Sequence, residues 1–162
     1  MRRLLAVLLA LLAFLALACV PPVHDGGRPP HPDPDVTRHS MYEWAWVLIR
    51  VGFRDPVTGV AVIWAESRGD DNARNLVYNL NSPAHMSYDE GGWQINNWWH
   101  RARITTACAD QMLCSSVYAK SISAGGSDYR LWTTFFNGSH RQFMDAAARA
   151  VWDATVDYQR GL

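Results

Sequence analysis

The ten residues PVTGVAVIWA, Pro56–Ala65, carry no charge, and the seven that follow, ESRGDDN, are turn and charge. Asp55 can cap a helix here with Pro56 in its first turn, and Val57, Val60, Ala61 and Trp64 recur at helical spacing as the buried stripe. A helix this apolar has to be enclosed, so the rest of the chain must supply a core around it. Glu66 sits at the seam where that helix stops. The residues one turn back are Val62 and Ile63, with Ala65 beside it, so the charged carboxylate is poorly solvated. Desolvation raises a carboxyl pKa, as a general acid working near neutral pH requires. The alternative is a surface glutamate neutralised by Arg68.

The sequence has 162 residues, 49% apolar and 12% aromatic, enough for one packed core and too few for two ordinary domains. Fifteen basic and fifteen acidic side chains cancel. No global field draws the chain to nucleic acid or to an anionic membrane surface. The N-terminus, MRRLLAVLLALLAFLALACVPP, places two arginines before an apolar run from Leu4 to Val20, with Ala16 and Ala18 set for cleavage before Cys19. Residues 1–18 read as an export signal. Membrane contact is expected only through this segment, as an uncleaved anchor or through lipid on Cys19, since LALAC resembles a bacterial lipobox; incidental retention of Cys19 as a free thiol is the competing reading. Residues 19–39 are dense in proline, glycine and charge and read as a linker, in which His24 and His31 lack the partners a metal site needs.

The folded domain is expected over 40–162. Ser40 can cap a first helix with Trp44, Leu48 and Val51 on its face and Gly52 at its end. From Asn72 to Asn97 there is no helical period; the β-prone pieces LVYNL and GWQIN alternate with turn residues. Ser115–Ser123 reads as a helix closed by GGS, and Phe143, Ala147, Ala150, Ala154 and Tyr158 keep helical spacing toward the C-terminus. In an oxidising compartment Cys108 and Cys114 should be joined. Six positions apart they would point to different faces of one continuous helix, so a bridge needs a turn between them; closing that loop stabilises the chain by about 2 kcal/mol. The fold class is therefore mainly α, an α+β arrangement of helices around a small β or irregular lobe that forms a cleft.

The sequence has no P-loop, dinucleotide fingerprint, HExxH or nucleophile-elbow serine, and neither a metal nor a cofactor is expected. Three segments remain: AESRGDDN, SYDEGGWQINNWWH and LWTTFFNG. In order and spacing they resemble the lysozyme-like lytic transglycosylase superfamily, nearest to the small transglycosylase-like domains of secreted actinobacterial proteins and of phage lysis or tail proteins. The resemblance runs over roughly Met41–Tyr158. It aligns Glu66-Ser67 with the Glu-Ser pair that ends the family's catalytic helix. Gly91-Gly92-Trp93-Gln94-Ile95 matches the turn that lines its cleft, and Phe135-Phe136-Asn137-Gly138 the element that opens its last helices. The cysteine loop ahead of a helix is similar too.

The resemblance implies Glu66 as the catalytic acid and peptidoglycan glycan strands as the partner. It extends substrate binding to Ser67, Tyr88, Asp89, Gly92, Trp93, Gln94, Asn96, Trp99, Phe135 and Asn137. The chemistry of those residue types agrees: flat indoles and phenols for sugar rings, amides for hydroxyl and acetamido groups, and glycines for close backbone approach. Trp44, Trp64 and Trp132 read as core, and His85 and His100 as surface or capping residues. The family often carries tyrosine where Phe135 aligns, so a hydroxyl contact to the acid is expected to be missing. The expected reaction is cleavage of the β-1,4 bond between N-acetylmuramic acid and N-acetylglucosamine by an exported monomer, with a 1,6-anhydro product. A hydrolytic route would need a second carboxylate, for which Asp89 and Glu90 are the candidates. A non-catalytic peptidoglycan-binding or assembly protein is the contrasting class.

Overall fold

The computed structural model describes residues 37–162; the expected signal segment, Cys19 and most of the linker lie outside the described residues. Helix α1, Met41–Val51, starts at a capping box in which the Ser40 hydroxyl accepts from the Glu43 amide and the Glu43 carboxylate accepts from the Ser40 amide. It stops at Gly52. Helix α2, Pro56–Ser67, begins as its sequence dictates, the Asp55 carboxylate accepting from the Thr58 amide at 3.0 Å. Val60, Ala61, Val62 and Ile63 are all fully buried, so α2 is enclosed on nearly every side and not along one stripe. Trp64, assigned to that stripe, is only partly buried. Enclosing Val60, Val62 and Ile63 contributes roughly 1.5–3 kcal/mol apiece.

The middle of the chain forms an antiparallel sheet of β1, Arg74–Tyr78, β2, Met86–Glu90, and β3, Ile95–Asn96, in the order β1-β2-β3. LVYNL supplies most of β1. GWQIN is mainly turn and gives only the two residues of β3, while MSYDE, polar enough to read as loop, becomes β2 because it is held between two partners. In the register, Leu76 faces Tyr88 and Asn75 faces Asp89. Alternation along β2 therefore sends Asp89 and Glu90 to opposite faces.

Short helices α3, Asn97–His100, and α4, Thr106–Ala109, lead to α5, Met112–Ile122. Cys108 lies in α4 and Cys114 in α5, and the break between the helices is the turn their disulfide requires. α6, Thr133–Phe136, and a 3₁₀ segment, Ser139–Phe143, precede the long α7, Met144–Gln159. α7 packs on α1 and α2 through Ala147, Val151 and Ala154, whereas Tyr158 stays half exposed. The observed class is mainly α with one small sheet, as expected.

The fold reaches back before Ser40. The Asp71 amide donates to the Thr37 carbonyl and the His39 amide to the Gly69 carbonyl. The His39 ring, only 2% exposed, shares a hydrogen with the Asp71 carboxylate at 3.1 Å. Thr37 and His39, given to the linker by composition, strap the loop that follows α2. Among the described residues no helix is long and apolar enough to cross a membrane.

Candidate active site

A cleft of about 310 Å³ opens between the sheet and the helices. Glu66 reaches it from the end of α2, Asp89 and Asn96 from the sheet, Trp99 and His100 from α3, and Leu131 and Trp132 from the segment before α6. Glu66 is half-buried, with Val62 and Ile63 fully enclosed behind it. Two donors from one residue meet its Oε1: the Thr134 hydroxyl at 2.7 Å and the Thr134 amide at 3.3 Å. Burial pushes the Glu66 carboxyl above the ordinary glutamate value, the Thr134 donors oppose that shift, and the negative charge of Asp89 reinforces it. Arg68 forms no ion pair with Glu66. Its guanidinium lies 4.4 Å from the Phe143 ring centre, so the surface-glutamate alternative is not what the fold builds.

Asp89 is the second carboxylate of the cleft. It is half-buried and accepts a 2.7 Å hydrogen bond from the Asn96 amide, and burial raises its pKa while Asn96 and His100 act the other way. Glu90 is excluded from this role by strand alternation. It lies on the far side of the sheet, 3% exposed, accepting from Asn97 and paired with Arg74 at 3.5 Å. His100, expected as a surface or capping residue, lines the cleft and holds the Tyr118 hydroxyl at 2.7 Å. Burial and Arg103 lower its pKa, which favours the neutral ring.

Several expected substrate contacts are corrected by the packing. Trp93 is fully buried, stacked on Phe53 and Tyr129, with its indole N–H donated to Ser116 at 3.0 Å. It anchors the turn and does not face sugar. The turn's glycines admit protein, not ligand. A Cβ on Gly92 would lie 2.3 Å from the Trp44 ring, and one on Gly91, whose φ is +75°, would lie 1.9 Å from the Ala109 carbonyl oxygen. The Ser67 hydroxyl turns inward and donates to the Gly92 carbonyl at 2.9 Å, tying α2 to the turn. Gln94 donates to the Ala73 and Gly91 carbonyls and accepts from Asn75, so its amide is spent on the cleft floor. Asn96 is likewise engaged, donating to Ser87 and Asp89 while capping α3 through the Trp98 and Trp99 amides.

Tyr88 projects from the sheet face opposite the cleft, beside Met86 and Trp98. Phe135 packs against the core and stacks on His140 at 4.7 Å, and the exposed Asn137 accepts from the amide and hydroxyl of Ser139. Trp99 alone among the expected aromatics is a free face on the cleft, 61% exposed. Sequence reading missed Thr134 and Leu131. Thr134 adjoins the aligned Phe135 and offers a hydroxyl, which is the only signal that marked it.

The family described as a lysozyme-like domain matches residues 45–134, more than half the chain, from within α1 to Thr134. No curated protein and no solved structure matches the chain. The family match covers the helix that carries Glu66, the sheet and the cleft between them, and the fold is the one that match implies: this chain belongs to the lysozyme-like domain family.

Proposed function

We propose that the protein cleaves peptidoglycan glycan strands at the β-1,4 bond between N-acetylmuramic acid and N-acetylglucosamine, with Glu66 as general acid and then base. Membership of the lysozyme-like family gives the coarser statement, a glycosidase-type enzyme of the cell wall. The observation that carries the finer reading is Glu66 itself: a half-buried carboxyl with a raised pKa, lining a cleft of about 310 Å³. A protonated Glu66 delivers its hydrogen to the leaving oxygen as the glycosidic bond breaks. The resulting carboxylate then accepts the hydrogen of the muramic C6 hydroxyl as that oxygen bonds C1, which leaves a 1,6-anhydro end. Trp99 supplies a flat apolar face to a ring in the cleft, and Leu131 an apolar contact from the opposite segment.

The location of Asp89 favours a second route. Asp89 lines the same cleft and accepts from Asn96, which supports a role in activating water or shielding the developing cation, and the product of that route is hydrolytic. Digestion of peptidoglycan with the native protein, followed by mass spectrometry, separates the two: the anhydro product is one water lighter than the hydrolytic one. Glu66→Gln should lower the rate by about 10²–10⁴-fold. Intact glycan strands after incubation with the native protein would overturn the enzymatic reading and leave a binding protein. Export follows from the N-terminal sequence on this reading, and an acyl mass on Cys19 would identify the lipid-anchored form.

A further inference from the structure

We infer that Thr134 is a positioning residue that commits the transferable hydrogen of Glu66 to Oε2, the oxygen left for the cleft. The inference rests on the assignment of Glu66 as the acid. A backbone N–H can only donate, and the Thr134 amide and hydroxyl both point at the one oxygen, Oε1. Two incoming donors fill the lone-pair positions of a carbonyl-type oxygen, so the acid form carries its hydrogen on Oε2. Oε2 has no protein hydrogen bond among the described residues.

Thr134 is itself held from behind. His140, 7% exposed, places Nδ1 at 3.1 Å from the Thr134 carbonyl oxygen. A carbonyl only accepts, so Nδ1 carries the hydrogen and the ring's tautomer is fixed in this contact. The Phe135 ring stacked on His140 keeps the imidazole in place, and the turn at Asn137–Ser139 brings it there. A strut His140–Thr134–Glu66 thus runs from the 3₁₀ segment to the acid. It supplies the hydroxyl that the alignment of Phe135 leads one to miss, from the residue before. The other titratable groups on this cleft are Asp89 from β2 and, beyond it, His100 from α3; Arg68 is turned to Phe143.

The test compares native protein, Thr134→Val and Thr134→Ser in the full chain solubilised in mild detergent. Valine keeps the shape and the amide and removes only the hydroxyl; serine restores it. Thr134→Val should lower kcat by about tenfold with KM unchanged. Its alkaline limb should move to higher pH, because a donor to the carboxylate has been lost, and Thr134→Ser should return both toward native. Carbon-13 detected titration of the Glu66 carboxyl reads the same shift without substrate. An active native protein with superimposable Thr134→Val kinetics and pH profile overturns this inference and leaves the function standing. An inactive native protein overturns the function, and the carboxyl titration then decides the Thr134 contact by itself: a curve unmoved in Thr134→Val removes it.

Discussion

At the scale of single residues, much of what the cleft motifs do is hold the cleft together. Ser67 shows how. Its single O–H is donated to the Gly92 carbonyl at 2.9 Å, with the Ile63 carbonyl a second, longer acceptor for the same hydrogen at 3.2 Å, and its oxygen accepts from the Gly69 amide at 3.2 Å, all in a buried setting. Ser67→Ala leaves the Gly92 carbonyl without this donor and should cost roughly 1–3 kcal/mol, read as a lower urea midpoint. Because the Ser67 hydroxyl is spent on backbone partners and does not line the cleft, kcat/KM measured well below the melting temperature should change little; a loss beyond tenfold would return Ser67 to the reacting group. From sequence, a serine after the acid is equally good at both tasks, and only the direction of its side chain separates them.

At the scale of elements, α2 and the GGWQ turn are one unit. Trp93 is driven into the core between Phe53, Tyr129 and Trp132, and Trp132 returns its indole N–H to the Trp93 carbonyl at 2.7 Å. That fixes the turn in the core, and the Ser67 hydroxyl bond to the Gly92 carbonyl ties it to the end of α2 beside Glu66. The α4–α5 pair depends on its disulfide in a different way. With α4 only four residues long, it has little intrinsic helical stability, and the Cys108–Cys114 link restrains it chiefly through the unfolded chain. Replacing both cysteines with serine should lower stability by about 2 kcal/mol without moving the cleft residues, checked by thermal melts beside glycan-cleavage rates. β2 went unread as a strand because its residues are polar; two antiparallel neighbours impose its conformation, and with it the separation of Asp89 from Glu90.

For the whole molecule, the cleft has a thermodynamic signature. Glu66, Asp71 and Asp89 each have a pKa raised chiefly by burial. A carboxyl whose folded pKa exceeds its unfolded value binds hydrogen more tightly when folded, so stability falls as pH rises from the ordinary carboxylate range through the raised values. These carboxyls favour a higher melting temperature near pH 5 than near pH 8, whereas His100, whose pKa is lowered chiefly by burial, contributes stability that grows as pH rises through the ordinary histidine range, so the Glu66 share is read from its variant. Below that range groups such as Asp128, held down to about 2 by Arg130, contribute in the opposite sense and are lost on strong acidification. Glu66→Gln should raise the melting temperature at pH 8 and give little gain at pH 5; equal gains at both would remove Glu66 as the source.

The sequence alone was enough for what local chemistry controls. The caps at Ser40 and Asp55, the arrest of α2 after Glu66, the apolar bed beneath that acid and the turn between the cysteines all follow from residues within one or two turns of each other. The family resemblance likewise rested on short stretches, AESRGDDN, SYDEGGWQINNWWH and LWTTFFNG, in their order along the chain. Tertiary packing alone decided which way the cleft residues point. A tryptophan in a glycine turn serves sugar or core equally well until Phe53 and Tyr129, distant in sequence, enclose it. Thr134 becomes a partner of Glu66 only because α6 folds back onto the end of α2, 68 positions along the chain. Nothing in its neighbours' polarity or spacing records that approach, since the contact is set by how two elements stack and not by either element's own pattern.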